Sequence, residues 1–336
     1  MRKNTKQIWG MTKKEWLVIA AVTVIGSTAV GVHLYENNKS SMPTPTMDHS
    51  KMSMPEMNSP TYTVNLMSSK VYKSGQPTSL HFDIEQNGKA FKNFALDSTK
   101  LMHVIVVRKD RSNFQHVHPI YDEKSGMFTL DNFQFPTDGQ YRIFANFAPT
   151  NAKKDDMGMI ETEAPYVDVN VGDVSKVANQ PLGADSLTSS VDGLTATIAN
   201  PPSDDSYSDP TAKPKFFATP ENAKFPVHST IAVDMTKDGT TFKNLQEYLG
   251  NLGHLVVLGP NLEFIHAHPQ AGDVNNQTGL ILFDAVLPTS GQYRLYLQTQ
   301  ANDTVSTFSF NITTEDMPKP STSGNNSMQG MNHGGN

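Results

Sequence analysis

The feature of this sequence that most constrains its fold is an internal repeat. Residues 81–103, HFDIEQNGKAFKNFALDSTKLMH, align without a gap on residues 232–254, AVDMTKDGTTFKNLQEYLGNLGH, and share the triplet FKN and the final histidine. Further on, FPTDGQYRIF at 135–144 matches LPTSGQYRLY at 287–296. Self-similarity of this kind indicates that one structural unit has been duplicated. The chain is therefore expected to fold as two related domains, which its 336 residues can accommodate.

Both copies carry the sequence pattern of β-strands. Short alternating runs such as YTVNL, SLHFDI, HVIVV and YRIFANF are separated by Gly, Pro, Asn and Asp, which is typical of all-β sandwiches. Tyr141 and Tyr293 follow a glycine turn, as in the tyrosine corner of Greek-key sandwiches, where the hydroxyl bonds back to the backbone. We therefore predict an all-β fold with two tandem immunoglobulin-like β-sandwich domains, at 61–173 and 187–316.

The N-terminal segment predicts a membrane anchor. Residues 16–34, WLVIAAVTVIGSTAVGVHL, contain no formal charge and follow five Lys or Arg residues. Roughly 20 apolar residues cross a bilayer as a helix, and a positive flank stays in the cytoplasm. Residues 1–15 are thus predicted to be a cytoplasmic basic segment and 16–35 one transmembrane helix, which makes the chain a single-pass cell-membrane protein with extracytoplasmic domains. The alternative is a signal peptide cleaved near Ala29, in which case the protein is secreted.

Three polar segments flank or join the predicted domains. Residues 36–60 and 317–336 are rich in Pro, Ser, Thr, Asn and Gly, a composition that does not build a core. We interpret the first as a flexible tether rich in Met and His and the second as a disordered tail of the same composition. Residues 174–186 are interpreted as the linker between the domains.

Charge and composition narrow the possible chemistry. The formal net charge is −6, and the five Lys or Arg residues before the anchor offset part of the negative charge of the rest of the chain. The acidic exported part argues against nucleic acid as a partner. The chain has no cysteine, which excludes disulfides, thiolate zinc sites and the thiolate that a blue-copper centre needs. No Ser/His/Asp arrangement or carboxylate pair is discernible, so the protein is not expected to be an enzyme.

Each copy contains a histidine followed, in the next strand-like run, by His-x-His-Pro. In the first copy, HVIVV and FQHVHP flank the polar turn RKDRSN, and a hairpin about that turn places His103 opposite His118. The same register sets Ile105 opposite His116. Since opposite residues and residues two apart share one face of a sheet, all three imidazoles should project to one side. Pro119 is expected to end the strand and leave the last histidine at an exposed tip.

The second copy gives the same result with a turn that is one residue shorter. There His254 falls opposite His268, and Val256 opposite His266. Three neutral imidazoles on one face form a good site for Cu(II), Zn(II) or Ni(II). The predicted ligands of the two sites are His103, His116, His118, His254, His266 and His268. The alternative is that these are hydrogen-bonded polar residues on the solvent face of a hairpin.

The two polar end segments carry soft metal ligands. Residues 42–57 contain five of the sixteen methionines, and large thioethers, which oxidise readily outside the cell, have no use in a spacer. Thioether sulfur binds Cu(I), and imidazole binds either oxidation state of copper. The predicted ligands here are Met47, His49, Met52, Met54, Met57, Met328, Met331 and His333. The alternative is that these methionines are accidental or contact apolar surfaces.

Two stretches resemble known bacterial families. The pattern LMHVIVVRKDRSNFQHVHP followed by FPTDGQYRIFANFAP resembles secreted YtkA-like domains, more weakly in the second copy, where NFAP becomes LQTQ. MDHSKM, at 47–52, resembles the Met/His motifs of copper-resistance proteins. The first resemblance implies an all-β fold and association with metals, but no reaction.

Together these observations predict a membrane-tethered extracytoplasmic copper-binding protein that sequesters or transfers Cu(I) or Cu(II) in copper homeostasis or resistance. Zinc is the alternative metal, and a copper transporter or oxidase is the candidate protein partner. The alternative function is a structural or adhesive pair of immunoglobulin-like domains at the cell surface that binds no metal.

Overall fold

A computed structural model describes residues 61–67, 71–154, 160–201, 212–220, 223, 227–270 and 278–318. The predicted basic segment, membrane anchor and tether, and all but the first two residues of the predicted tail, lie outside these described residues. Within the described part of the chain, no helix is long and apolar enough to span a membrane.

The described residues form an all-β protein. A short 3-10 helix, Val174–Lys176, follows the strands of the first copy. Those strands are β1 (Tyr62–Leu66), β2 (Thr78–Gln86), β3 (Lys89–Phe91), β4 (Phe94–Ala95), β5 (His103–Arg108), β6 (Gln115–Val117), β7 (Ile120–Asp122), β8 (Met127–Phe133), β9 (Gly139–Asn146), β10 (Ala148–Pro149) and β11 (Tyr166–Val171). The strands that follow are β12 (Thr188–Val191), β13 (Leu194–Ala199), β14 (Phe216–Ala218), β15 (His228–Lys237), β16 (Thr240–Thr241), β17 (His254–Leu258), β18 (Phe264–Ala267), β19 (Leu280–Val286), β20 (Gly291–Ala301) and β21 (Thr304–Asp316).

In the first domain two sheets face each other across an apolar core. One sheet has the order β1-β2-β8-β7, with β3 also paired to β2, and the other has the order β11-β9-β5-β6. Because side chains alternate between the two faces of a strand, β2 buries every second residue. Leu80, Phe82 and Ile84 of β2 thus join Val104 and Val106 of β5 in one core.

The second domain repeats this arrangement. Its sheets have the orders β12-β13-β15-β16, with β19 paired to β15, and β14-β21-β20-β17-β18. The order β21-β20-β17-β18 reproduces β11-β9-β5-β6 strand for strand, and this confirms the predicted duplication. In both domains the tyrosine of the GQY motif is fully buried, and its hydroxyl donates to the backbone oxygen four residues earlier. The distances are 2.9 Å from Tyr141 to Thr137 and 2.8 Å from Tyr293 to Thr289, which confirms the predicted role of both tyrosines.

Strands β5 and β17 are covered on both faces, and every residue in them is buried. Their inward side chains belong to the core of their own domain. Their outward side chains belong to a third apolar cluster, which the two domains share and which we call the interdomain cluster. Its buried members are Ile105, Val107, Phe144, Val256, Leu258, Leu262 and Tyr296. The contact between the domains is therefore an apolar one between the outer faces of two equivalent sheets.

Aromatic stacking and hydrogen bonds extend this contact. The ring of Phe144 stacks on Phe264 with centroids 4.7 Å apart, and Phe114 stacks on Tyr296 at 4.3 Å. The hydroxyl of Tyr296 also donates to the backbone oxygen of Arg111 at 2.6 Å. The two stacked pairs are equivalent in the two copies, because Phe114 and Phe264 each precede the His-x-His segment of their own copy.

The predicted linker runs along both domains. The guanidinium of Arg108 donates to the backbone oxygen of Ala178 at 2.8 Å, and the side-chain amide of Gln292 donates to that of Gly183 at 2.8 Å. The linker is thus hydrogen-bonded to a residue of each domain.

Candidate metal centre

The first histidine of each copy begins a central strand, and the second lies in the neighbouring strand. The register pairs Ile105 with His116 in the first domain and Val256 with His266 in the second. Both predicted registers are therefore confirmed. Because His103 lies two residues before Ile105, it projects to the same face, which in this fold is the face turned toward the other domain.

Three ring nitrogens converge in the first triad, which we define as His103, His116 and His118. Nδ1 of His103 lies 2.9 Å from Nε2 of His116 and 3.1 Å from Nε2 of His118, and the last two atoms are 3.2 Å apart. Nitrogens bound to one zinc ion at 2.0–2.1 Å in tetrahedral geometry lie roughly 3.3 Å from one another. The triangle thus has the dimensions of the three-imidazole face of a metal site.

The second triad consists of His254, His266 and His268, and it is wider. Nδ1 of His254 lies 3.4 Å from Nε2 of His266. The three candidate ligand atoms lie within 4.8 Å of one another. Nε2 of His268 lies 3.0 Å from the hydroxyl of Ser98, which belongs to the first domain. Both triads can hold a metal ion.

The two triads meet between the domains and form one six-histidine cluster. The ring of His103 lies 5.1 Å from that of His266 and 6.1 Å from that of His254, measured between centroids. The ring of His116 lies 5.6 Å from that of His266 and 5.9 Å from that of His254. The sequence pattern of either hairpin does not indicate this proximity, because the two hairpins belong to different domains.

Burial of the cluster corrects two expectations. Strands β6 and β18 do end just before the last histidine of each copy, but the predicted exposed tip is wrong. His118 is only partly exposed and the side chain of His268 is 9% exposed. The alternative of a solvent-facing hairpin surface is also contradicted, because His103 and His254 are 0% and 1% exposed. The facing domain covers the surface that a single hairpin would present to water.

Backbone carbonyl groups orient the first histidine of each triad. Nε2 of His103 donates to the backbone oxygen of Asp97 at 3.0 Å, and Nε2 of His254 donates to that of Tyr248 at 2.9 Å. Asp97 and Tyr248 occupy equivalent positions in the gapless repeat. A bond of this kind keeps the proton on Nε2 and leaves the lone pair of Nδ1 directed at the cluster.

A carboxamide from the opposite domain orients the second histidine of each triad. Nδ1 of His116 donates to Oε1 of Gln298 at 2.8 Å, and Nδ1 of His266 donates to Oδ1 of Asn146 at 2.8 Å. Gln298 and Asn146 occupy equivalent positions in β20 and β9. Sequence reasoning missed both residues, and the available signal was one amide side chain at the end of two equivalent apolar runs, IFAN and LYLQ. Each triad is therefore oriented in part by the other domain.

Burial lowers the pKa of every imidazole in the cluster. Desolvation of the charged form is the largest cause at each position, and neighbouring imidazoles add to the decrease at most of them. The pKa of His118 and that of His254 fall to about 3. The Asp97 carboxylate opposes the decrease in pKa at His103 and His268 without cancelling it. All six rings are therefore neutral at neutral pH, which is the form that binds metals.

A cavity of about 600 Å³ lies beside the second triad. His266 and His268 lie in its wall, and the first domain contributes Asn146 and Glu161. Two of the three histidines of the second triad therefore border a cavity to which both domains contribute.

The predicted soft ligands of the two end segments all lie outside the described residues. They are Met47, His49, Met52, Met54, Met57, Met328, Met331 and His333. Their role in binding copper stays a prediction.

Solved structures with some similarity to this chain are distant. Trypsin-activated alpha-2-macroglobulin from Escherichia coli is 11% identical over 76% of this chain and 15% of its own, with a TM-score of 0.22. A marsupial T cell receptor is 9% identical over 74% of this chain and 95% of its own, also with a TM-score of 0.22. This chain spans only about 15% of the macroglobulin, and TM-scores this low support no conclusion on fold or function.

Comparison by sequence identifies a family. No curated protein matches the chain significantly. One family, which is described as a domain of unknown function, matches residues 57–157 and again residues 217–316, once in each copy of the repeat. Because these two matches cover more than half of the chain, the protein belongs to the family Domain of unknown function (DUF8832) and carries its domain twice.

Proposed function

We propose that this protein binds copper outside the cytoplasm and sequesters it or transfers it to another protein. The observation that carries the proposal is the first triad, in which three neutral ring nitrogens lie 2.9–3.2 Å apart. Hydrogen bonds to the outer nitrogens of His103 and His116 leave their lone pairs directed inward, as the ligands of metalloproteins require. Three imidazoles leave at least one coordination position for a further ligand or for the group that receives the metal.

Copper is favoured over zinc by the ligands in the end segments. Three imidazoles suit Cu(I), Cu(II) and Zn(II), so the cluster alone supports all three. The methionines of 36–60 and 317–336 bring soft thioethers, which bind Cu(I) and contribute little to zinc. The segments capture Cu(I) and the buried histidines hold the copper that is delivered to them. The resemblance of MDHSKM to copper-resistance motifs supports the same choice.

The proposed location follows from the sequence of 16–35. A charge-free apolar run of this length behind a basic flank supports a single-pass anchor in the cell membrane with the histidine domains outside the cytoplasm. Cleavage near Ala29 would release the same domains as a secreted protein. In either form the protein acts as a binding protein, with a copper transporter or an oxidase as the partner that supplies or receives the metal.

We also infer that each domain is an immunoglobulin-like β-sandwich related to the YtkA-like domains. The two facing sheets and the buried corner tyrosines, Tyr141 and Tyr293, support the sandwich class. The sequence pattern around His103 and His116 supports the relation to YtkA-like domains, and with it an association with metals.

Metal retention by the full-length chain tests the proposed function. After loading with Cu(II) and desalting, it is expected to keep about two equivalents at the six-histidine cluster, one per triad. Replacing the three histidines of either triad by Gln should remove one equivalent. His81→Gln is the matched control, because His81 contacts Thr129 in the other sheet of the first domain, outside the cluster.

Two results would contradict the proposal. Unchanged retention in a variant that lacks all six histidines, with its fold verified by circular dichroism, would show that the cluster is not the site. Absence of any increase in melting temperature with Cu(II), Cu(I) or Zn(II) would favour the structural or adhesive function instead, because a ligand at 100 times its Kd stabilises by about 2.7 kcal/mol.

A further inference from the structure

We propose that the second triad is a four-ligand site for a divalent cation, completed by the carboxylate of Asp97 from the first domain. The inference rests on the metal-binding function proposed above and adds to it a ligand, a difference between the two triads and a metal bridge between the domains.

The position of Asp97 brings it to the second triad. Asp97 lies in the turn before β5, where its backbone oxygen accepts the hydrogen bond from His103. Its side chain reaches the opposite domain, with Oδ1 3.8 Å from Nε2 of His268. Both side chains are 9% exposed. Two ligand atoms on one tetrahedral zinc ion lie roughly 3.3 Å apart, so this separation of 3.8 Å is close to that of two ligands of one ion.

The carboxylate of Asp97 is incompletely hydrogen-bonded. Oδ1 accepts a hydrogen bond from the hydroxyl of Ser98 at 3.3 Å. Oδ2 is buried and has no hydrogen-bond partner in the part of the chain that the structure describes. A buried carboxylate oxygen without a partner is strongly unfavourable, and a bound cation supplies the missing partner. The Ser98 hydroxyl, which also contacts Nε2 of His268 at 3.0 Å, is then displaced from that nitrogen.

The shape of the second triad leaves room for a fourth ligand. Its nitrogens His254 Nδ1 and His266 Nε2 are 3.4 Å apart, whereas the equivalent pair in the first triad is 2.9 Å apart. The cavity of about 600 Å³ has His266 and His268 in its wall, so the site borders open space. Three imidazoles and one carboxylate form a ligand set that suits Zn(II) and Cu(II).

The first triad has no equivalent carboxylate. The gapless repeat places Tyr248 at the position of Asp97 and Leu249 at that of Ser98. Among the described residues, the Asp97 carboxylate therefore pairs with a histidine of the second triad, and the equivalent position beside the first triad holds the uncharged Tyr248. A carboxylate is a hard ligand that favours a divalent ion over Cu(I), whereas three imidazoles alone accept Cu(I) readily. The duplicated domain thus yields two sites with different preferences, and the cation in the second is held by both domains.

Zinc titration of the full-length chain in two backgrounds tests this assignment. Zn(II) is the probe, because the thioethers of the end segments bind it weakly. His118→Gln disables the first triad, and His268→Gln disables the second. In the His118→Gln background, Asp97→Asn is expected to weaken Zn(II) binding by about 10–100-fold or more, the loss typical of even an outer ligand partner. In the His268→Gln background the same substitution is expected to weaken binding far less, because His103 is bonded to the backbone oxygen of Asp97, which the substitution keeps.

Asp83→Asn is the matched control. Asp83 lies on β2 in the other sheet of the first domain, and its Oδ1 is likewise buried without a partner among the described residues. Without metal, both Asn variants are expected to melt at or above the wild-type temperature, because each removes a poorly paired carboxylate. Only Asp97→Asn should reduce the increase in melting temperature that Zn(II) produces.

The outcomes separate this inference from the proposed function. Two bound equivalents together with an unchanged affinity of the Asp97→Asn, His118→Gln variant would overturn Asp97 as a ligand and leave the proposed function standing. A marked fall in the metal-free melting temperature of Asp97→Asn would assign the residue a structural role instead. If the wild-type chain binds neither Zn(II) nor copper, the proposed function fails, and this inference fails with it.

Discussion

The Nδ1–H of His116 donates to a glutamine of the other domain, and this bond determines which nitrogen of the ring faces the cluster. The same is true of His266 and Asn146, with the two domains exchanged. A free imidazole in water exchanges its proton between two nitrogens, so an unsupported ring presents the wrong tautomer for part of the time. The two carboxamides fix the tautomer of these two rings. Neither hairpin could supply such a hydrogen-bond partner for its own histidine.

Gln298→Ala and Asn146→Ala are expected to weaken different sites. The first removes the partner of His116 and should lower metal affinity at the first triad by about 10–100-fold, as is typical when the partner of a ligating histidine is lost. The second should have the same effect at the second triad. Zn(II) titration in the His268→Gln and His118→Gln backgrounds reports each triad separately, and each Ala variant serves as the control for the other. Equal weakening of both triads by one variant would contradict this division.

Acid is expected to destabilise the metal-free protein through the same histidines. Their pKa values in the folded state lie below the value of about 6.5 in an unfolded chain, and those of His118 and His254 are about 3. Between these values the unfolded state binds more protons, so the free energy of unfolding decreases as pH falls through this window. Urea denaturation at several pH values measures the decrease, and a variant with all six histidines replaced by Gln should lose much of it. An identical pH dependence in that variant would contradict the prediction.

At the scale of strands and turns, much of the site could be predicted from the sequence. The pairing of Ile105 with His116 follows from the position of one polar turn, and the side-chain period of two then places all three imidazoles on one face. What covers that face could not be predicted. The run HVIVV is apolar on both sides of the strand, which is typical of a strand buried on both faces, but such a run does not say what the second cover is.

One physical reason explains why the remaining residues of the site could not be predicted from the sequence. The side chains of Asn146, Gln298 and Asp97 contact histidines of the opposite domain. These contacts depend on how the two domains dock, and no local sequence period indicates them. The repeat does show that the domains are alike, and equivalent apolar faces on like domains are able to pair. The relative position of those faces is set by side-chain packing in the interdomain cluster, which no short sequence pattern encodes.

At the scale of the whole molecule, the six-histidine cluster and the interdomain cluster lie on the same faces of the same two sheets. Apolar residues such as Ile105 and Val256 supply the contact, and the histidines that begin the same strands lie at its edge. Any change that separates the domains should therefore disturb both triads together, because each depends on a carboxamide from across the boundary.

Phe144→Ala tests this dependence. Phe144 is 2% exposed and stacks on Phe264 of the second domain, so its loss should cost about 3–5 kcal/mol and weaken both triads. Phe128→Ala is the control, because Phe128 is 1% exposed in the core of the first domain and its loss should cost about the same. Urea denaturation compares the stabilities, and Zn(II) titration compares the sites. Equal metal affinities in the two folded variants would contradict the dependence on domain contact.

Anomalous diffraction at the copper edge, from crystals of the copper-loaded full-length protein, tests the central claim most directly. The account predicts one copper ion bonded to Nδ1 of His103 and to Nε2 of His116 and His118, at the distance of about 2.0 Å usual for metal–imidazole bonds. It predicts a second ion at His254, His266 and His268. Copper found away from all six imidazoles, or a cluster that stays metal-free while the chain is loaded, would contradict the account.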